Sequence, residues 1–491
     1  MILKQFNTIK MKIVSRILKS SLIVALLATT ACKDFTEFGD INLSPNSPSV
    51  ASTASLLTGA ITNVGGVATA MVPCLYTQQF GDVTYIEESR YKTVNFSYAG
   101  FYTSPLNSLN YIIKLNTDAD TKNAAAANGS NANQIAIARI LKAYFYLNIT
   151  DRWGDAPYSQ ALKGKENFSP AFDTQQAIYT DLFKELKEAQ AQFDGGKTVV
   201  GDILLSGNAT RWKKFANTLR AVMALRLSKI DPTKGKAEFV AALADGAITS
   251  NADNVSYKYL KDANFESPLY NNYVTGNRKD FAVSDVMIKY LQKTNDPRIS
   301  AFADKATATQ TYNGVPYGVF PGSKAQDVSL AAAANIAAQD AAVPVATYSQ
   351  LLFSQAEAAK LGWITGSAKQ FYEDAIKASM QQWGVYTTDV AFATYLLGAD
   401  VLYTDAKSLE LIGTQKWVSL FYMGYEAWAE WRRTGYPVLV PAAKPLNTSG
   451  LIPRRMAYPT TEGTLNKTNY DAVISRQGAD NQETRVWWDK K

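Results

Sequence analysis

From Ile178 the apolar residues recur at spacings of four, four, three and four: Ile178, Leu182, Leu186, Ala189 and Phe193. That period draws one face of an α-helix and fits no strand. Asp173, with Gln176 three residues on, reads as the N-cap of a capping box. The same kind of pattern returns along the chain. "QIAIARILKAYFYLNITDRWG" predicts a second helix, ended near Trp153-Gly154. "ATRWKKFANTLRAVMALRLSKI" predicts a third, with Trp212, Phe215, Leu219, Val222 and Leu225 or Arg226 on its face and a stop at Asp231-Pro232. "ATYSQLLFSQAEAAKLGW" and "SAKQFYEDAIKASMQQWG" predict a fourth and a fifth, joined by Ile364-Thr365-Gly366, with Thr347 and Gln350 as a second capping box.

In that last pair Ala356, Ala368, Tyr372 and Ala375 are spaced 12, 4 and 3. These are the small and aromatic positions at which two helices of a tetratricopeptide repeat approach closely. Ala359 stands where a further aromatic is expected, the closing proline is missing, and no strict period of about 34 residues runs along the chain. The expected fold is therefore mainly α: tetratricopeptide-like helical pairs, the other units divergent. Between the helical blocks lie loop-rich stretches at about 76–110 and 250–325, the second broken by Pro268, Gly276, Pro297, Gly314, Pro316 and Pro321. Long irregular segments in a compact protein are usually functional.

The N-terminus reads as a signal peptide over residues 1–31. Lys12, Arg16 and Lys19 precede a short apolar run, Leu22 to Ala28, and the small residues Thr29-Thr30-Ala31 precede Cys32. A cysteine at that place is a candidate for lipidation, although Thr29 stands where an aliphatic residue is usual. Residues 32–52, acidic and then rich in Ser, Pro and Asn, read as a tether. Residues 53–491 are expected to form a single domain, with no later segment long and apolar enough to cross a membrane. The leader holds Lys4, Lys10, Lys12, Arg16 and Lys19 and no acid, so the formal charge of +7 falls to 45 bases against 43 acids beyond it. Nothing there points to nucleic acid.

The chain has no histidine, which excludes a Ser-His-Asp triad, a Cys-His dyad and a His-ligated zinc. Cys32 and Cys74 alone can build neither a disulfide framework nor a thiolate metal cluster, and Cys74 reads as a small buried hydrophobe. "DGGKTVV" lacks the first glycine of a phosphate loop, Ala191 standing there, and follows a helix; it reads as a C-cap turn at Gly195. No Gly-x-Ser-x-Gly elbow and no Asp-x-Asp-x-Asn-Gly calcium loop occurs, and no cofactor is implied. A pair of carboxylates for glycoside hydrolysis is not excluded by 43 acids.

Several blocks, in order, resemble the SusD/RagB family of outer-membrane nutrient-binding lipoproteins of Bacteroidetes, and its SusD-like branch in particular. They are "DINLSPNSP", "LKAYFYLNITDRWGDAPYSQAL", "WKKFANTLRAVMALRL", "NDPR" followed by "YNGVPYG", "GYEAWAEWRRTGYP" and "PRRMAYP". Phe101 departs from the pattern where a tryptophan is expected. The resemblance implies a helical scaffold with loops forming a ligand face, a glycan or other nutrient as ligand, an outer-membrane lipid anchor at the cell surface, and a SusC-like TonB-dependent transporter as partner.

"FYMGYEAWAEWRRTGYPVLV" concentrates rings and charges. Read as a helix, it puts Tyr425, Trp428 and Trp431 on one face, with Phe421 a turn earlier, and Glu426, Glu430 and Arg433 on another, closed by Gly435. This predicts packing rather than a ligand site. Trp153 with Asp151 and Asp155 is expected to fix a buried loop, and Trp487 and Trp488 to seal the core. If the helices spend their rings on packing, a sugar-binding platform must come from the loops. Three segments carry the needed mixture: Tyr85, Arg90 and Tyr91; Tyr270, Asn272, Tyr273 and Arg278; and Tyr312, Asn313 and Tyr317. The competing readings are a surface glycoside hydrolase and a helical-repeat protein that only holds partners.

Overall fold

Side-chain caps set where the helices begin. Ser130, Thr174, Asn208, Asp231, Ser284, Thr347, Ser367 and Thr388 each accept a hydrogen bond from the backbone N–H three residues on. Each cap satisfies one amide that the helix itself leaves unpaired. In this computed structural model, which describes residues 51–490, about half of the chain is helical.

The main elements follow in chain order. α1 (Thr53–Ala68) and α2 (Met71–Tyr76) lead to strand β1 (Phe80–Asp82), and α3 (Asn107–Thr117) to α4 (Asn131–Trp153). Strands β2 (Ala156–Pro157) and β3 (Phe172–Asp173) precede α5 (Gln175–Gln192), α6 (Ala209–Arg226) and α7 (Pro232–Ala244). Then come β4 (Val255–Lys258), β5 (Phe281–Val283), α8 (Asp285–Lys293) and β6 (Ala342–Ala346). The last helices are α9 (Tyr348–Lys360), α10 (Ala368–Gln382), α11 (Asp389–Leu396), α12 (Ser408–Ser419), α13 (Gly424–Thr434) and α14 (Lys467–Gln477). The strands form three antiparallel two-stranded ribbons: β1 with β5, β2 with β3, β4 with β6.

Four consecutive pairs build the scaffold: α4 with α5, α6 with α7, α9 with α10, and α12 with α13. α5 lies on α6, α6 on α9 and α9 on α12, so the pairs stack as in a repeat array. Ala356, Tyr372 and Ala375 are buried where α9 meets α10, as their spacing predicts.

Local details differ from expectation. The cap of α5 is Thr174, not Asp173, because the Asp173 carboxylate is engaged by the Tyr158 and Ser159 amides at 3.2 and 2.8 Å. At Thr347 only half of the capping box forms, since the Gln350 amide turns to Glu426 at 3.0 Å. α6 ends at Arg226, a turn before Asp231, which instead caps α7. "DGGKTVV" is a post-helical turn, with the cap at Phe193 rather than Gly195 and Asp194 tying it to Ser130 at 2.8 Å. Thr53–Tyr76 has the length and apolar composition of a membrane span, against the sequence expectation. It is instead broken between α1 and α2, and Leu57, Ile61, Val64, Cys74 and Tyr76 are core residues.

The helical part of the aromatic stretch packs into the core, as predicted, with Tyr425 half-buried, while Val438 and Val440 beyond it are exposed. Phe421, Trp428 and Trp431 are buried, and Gly435 closes α13 at φ 82°. Arg433 bridges Glu357 and Glu430 at 2.5 and 2.7 Å, Lys416 reaches Glu430 at 2.9 Å, and Arg226 reaches Glu426 at 2.9 Å. Trp153 donates to the Ala457 carbonyl at 3.1 Å, and Asp151 accepts from both Tyr179 (2.5 Å) and Trp488 (2.9 Å). Trp488 is buried; Trp487 is only half-buried.

Candidate loop-face binding site

The loops are stitched together by a short ribbon and a small apolar cluster. β1 pairs with β5 in the register Phe80↔Val283, Gly81↔Ala282, Asp82↔Phe281, and Ser284 bridges to Val315. Val83 donates to the Asp280 carbonyl at 2.7 Å, and Ser323 donates to the Val83 carbonyl at 2.6 Å. Val83, Ala282, Val315 and Val328 form their own buried cluster beneath, the kind of satellite core that supports long loops. All three segments singled out in the sequence meet on this base.

They bring different side chains to the surface. Tyr91, Tyr273 and Tyr317, expected as ligand contacts, are buried packing residues. Their hydroxyls are used internally: Tyr317 donates to the Leu75 carbonyl at 2.7 Å, Tyr273 to the Phe281 carbonyl at 2.8 Å, and Tyr91 accepts from the Ala442 amide at 3.1 Å. Arg90 holds the Lys444 carbonyl at 2.5 Å. Asn272 and Arg278 both close their loop on Asp280, at 2.7 Å each, and Asn313 pairs with the Asp327 carbonyl. Tyr85 is 69% exposed; Tyr270 and Tyr312 are half-buried.

The residue that sequence reasoning missed is Phe320, 75% exposed in the turn Val319–Gly322. A side chain at position 322 would collide with the backbone of Val83 and Thr84, at 2.5 and 2.6 Å from their carbonyl oxygens. Glycine therefore lets this turn lie flat on the segment that carries Tyr85. The signal available in the sequence was a phenylalanine inside a Pro- and Gly-rich turn, "VFPG", where an apolar ring has no core to enter.

Next to the same cluster is a cleft of about 380 Å³ lined by Lys279, Asp304, Lys305, Thr307, Ala325, Gln326, Val328 and Leu330. Its lining mixes the apolar Ala325, Val328 and Leu330 with charged groups of both signs, Lys279, Lys305 and Asp304. Lys305 also sits 5.9 Å from the centroid of the Tyr312 ring. Asp304 is the one carboxylate among the described residues lining the cleft. At the end of β1, within the ribbon, Asp82 is buried, and desolvation pushes its carboxyl up to about 6, opposed by hydrogen bonding from Ser89. Among the described residues no three carboxylate or thiol groups gather as metal ligands.

The chain's similarities to known proteins are consistent with this architecture. A family model described as "Starch-binding associating with outer membrane" matches residues 45–459. A solved chitin-binding protein is 29% identical, with a TM-score of 0.78 over 90% of this chain and all of its own. A chitin-binding SusD homologue from Flavobacterium johnsoniae is 25% identical, with a TM-score of 0.73 over 89% of this chain and 99% of its own. A SusD homologue from Bacteroides fragilis is 26% identical, with a TM-score of 0.74 over 90% of this chain and all of its own. No functionally curated protein sequence matches.

Proposed function

The chain belongs to the SusD-like family, and from that membership we propose that it is a non-catalytic glycan-binding protein of the outer membrane that hands its ligand to a SusC-like TonB-dependent transporter. The family description supports the membrane association, and the chitin-binding relatives support a saccharide ligand. Cys32, the lipid attachment point in this reading, lies outside the described residues.

The observation that carries the reading is the exposed aromatic pair, Tyr85 and Phe320, on neighbouring segments above the loop cluster. A pyranose ring has apolar C–H faces and a hydroxyl rim. Flat rings take the faces, and polar groups such as Lys279, Asp304, Lys305 and Gln326 take the hydroxyls. Binding is favoured over hydrolysis because two carboxylates are needed to cleave a glycosidic bond and the cleft wall offers Asp304 alone.

The test uses chito- and malto-oligosaccharides on a glycan array, followed by calorimetry. Tyr85→Ala with Phe320→Ala should abolish binding of whichever series the wild type takes. The melting temperature should stay within a few degrees, because both rings are largely in solvent. A folded double variant with wild-type affinity sinks the assignment, and release of reducing sugar from the bound oligosaccharide would restore the hydrolase reading.

A further inference from the structure

The cleft beside the loop platform carries an unbalanced charge. Its lining holds two ammoniums, Lys279 and Lys305, against one carboxylate, Asp304. Among the described residues both ammoniums keep neutral partners: Lys279 donates to the side-chain carbonyl of Asn277, and Lys305 lies over the Tyr312 ring. The carboxylate next to Lys279 in sequence, Asp280, is held instead by Arg278 and Asn272 at 2.7 Å each. Asp304 turns its Oδ2 to the Ala333 amide at 2.9 Å. Lys324 and Asp327, which flank the lining residues Ala325 and Gln326 in sequence, cancel each other. A neutral partner satisfies a donor but leaves its charge uncompensated.

The backbone at Lys279 adds an independent observation. It stands at φ 55°, in the left-handed region where a side chain crowds the chain. Glycine would adopt that conformation with less strain, yet a lysine stands there and lines the cleft. Strain of this kind is tolerated where a side chain is needed at one place.

A neutral sugar would gain only hydrogen bonds from such a wall. A sugar bearing a carboxylate or a sulfate ester would gain those and charge-assisted contacts with both lysines. Resting on the loop-face reading, we propose that this site selects an anionic glycan, with carboxylate or sulfate groups on its sugars, over a neutral one. The ring faces stack on Tyr85 and Phe320, and the acid group lies against Lys279 and Lys305.

The probes are trigalacturonate, its methyl ester, a sulfated carrageenan tetrasaccharide, chitotriose and maltotriose, each titrated calorimetrically into the protein. At least one acidic probe should bind about tenfold more tightly than every neutral one; which of them does so separates carboxylate from sulfate. Its affinity should fall as salt is raised from about 0.05 to 0.5 M, because exposed charges are screened. Lys279→Gln with Lys305→Gln should weaken it by about tenfold, the loss of two exposed ion pairs at about threefold each. Tyr85→Ala with Phe320→Ala should abolish it. A neutral probe that binds as tightly as the acidic ones overturns the proposal and leaves the loop-face reading standing. Full affinity for the acidic probe in a folded lysine double variant, or at high salt, also overturns it, because the charge is then read elsewhere. Retention of the acidic probe by the ring double variant does so too, by placing the acidic sugar off the platform. If no probe binds, the proposal and the reading beneath it fall together. Should the lysine double variant fail to fold, Lys305→Gln alone, at an exposed position, should weaken the acidic probe by about threefold, and unchanged affinity there is equally fatal.

Discussion

Tyr273 and Asp82 carry the clearest single-residue consequences of the loop architecture. Tyr273 stands in a segment of polar and aromatic residues and reads as a ligand contact, but its ring is 8% exposed and its hydroxyl bridges Phe281 and Ala331. Tyr273→Ala should therefore cost about 3–5 kcal/mol, as for other large-to-small core changes. A urea midpoint unchanged from wild type would show the ring to be free after all. Asp82 makes a prediction about pH. Its carboxyl has an ordinary value of 3.8 and is pushed up to about 6 in the folded chain. Between about pH 4 and pH 6 the folded state holds more protons than the unfolded one, so this group's contribution falls as pH rises through that window. Two units correspond to about 3 kcal/mol. Asp82→Asn should remove that component: thermal melts at pH 4.5 and pH 7 should differ less than those of the wild type, after subtraction of the shared drift of the other carboxylates. An identical pH dependence in the two proteins would mean that Asp82 titrates in the ordinary range.

At the scale of the element, α13 shows what a sequence tells and what it withholds. Residues three and four apart must share a face, so burial of Trp428 and Trp431 and the pairing of Glu430 with Arg433 were legible from spacing alone. The partners from other helices were not. Glu357 lies 76 positions from Arg433, and Arg226 lies 200 from Glu426. No local period encodes such distances. The same limit explains the loops: an irregular segment has no repeat to say which side faces in, so Tyr273 and Tyr85 look alike in sequence while one is core and the other solvent. Two adjacent cap-competent residues pose a smaller version of the problem, settled at α5 by the loop that claims Asp173. The network on α13 is testable as a unit. Burial alone would raise the Glu430 carboxyl, but Arg433 and Lys416 hold it well below the usual carboxylate range. It contributes stability that is present above its unfolded pKa and lost as pH falls through the lower, folded value. Glu430→Gln leaves Lys416 buried without a carboxylate, and should cost about 3–5 kcal/mol at pH 7. A loss under about 1 kcal/mol in urea denaturation would show that Arg433 and Glu357 suffice without it.

Across the whole molecule, the chain end is more central than family likeness suggests. The family model stops at residue 459, yet the segment beyond α14 ties distant parts together. Gln482 donates to the Thr93 carbonyl at 2.8 Å and its own carbonyl accepts from Arg454 at 2.7 Å, so one residue joins the base of the loop face to the C-terminal turn. Trp488 is fully buried and donates to Asp151 at the end of α4, the same carboxylate that takes Tyr179 from α5 and lies 3.3 Å from Arg226 on α6. Arg432 lies between the rings of Trp428 and Trp488, at 3.8 and 4.7 Å from their centroids; burial pushes its guanidinium down to about 9, with Asp489 and Asp151 pulling the other way. Removing the segment opens that sandwich to water, strips Asp151 of a donor and frees the loop segment that carries Thr93. Truncation after Gly478 should therefore lower stability by more than the roughly 3–5 kcal/mol expected for Trp488→Ala alone, and should weaken oligosaccharide binding at the loop face through Thr93. The comparison is between full-length, Trp488→Ala and truncated proteins, each followed by urea denaturation and by calorimetry with the oligosaccharide. If the truncated chain unfolds at the wild-type midpoint, the buried ring and its hydrogen bonds are not holding the helices together. If it is destabilised but binds oligosaccharide normally while folded, the loop face is anchored by the β1–β5 ribbon and its apolar cluster without help from the tail.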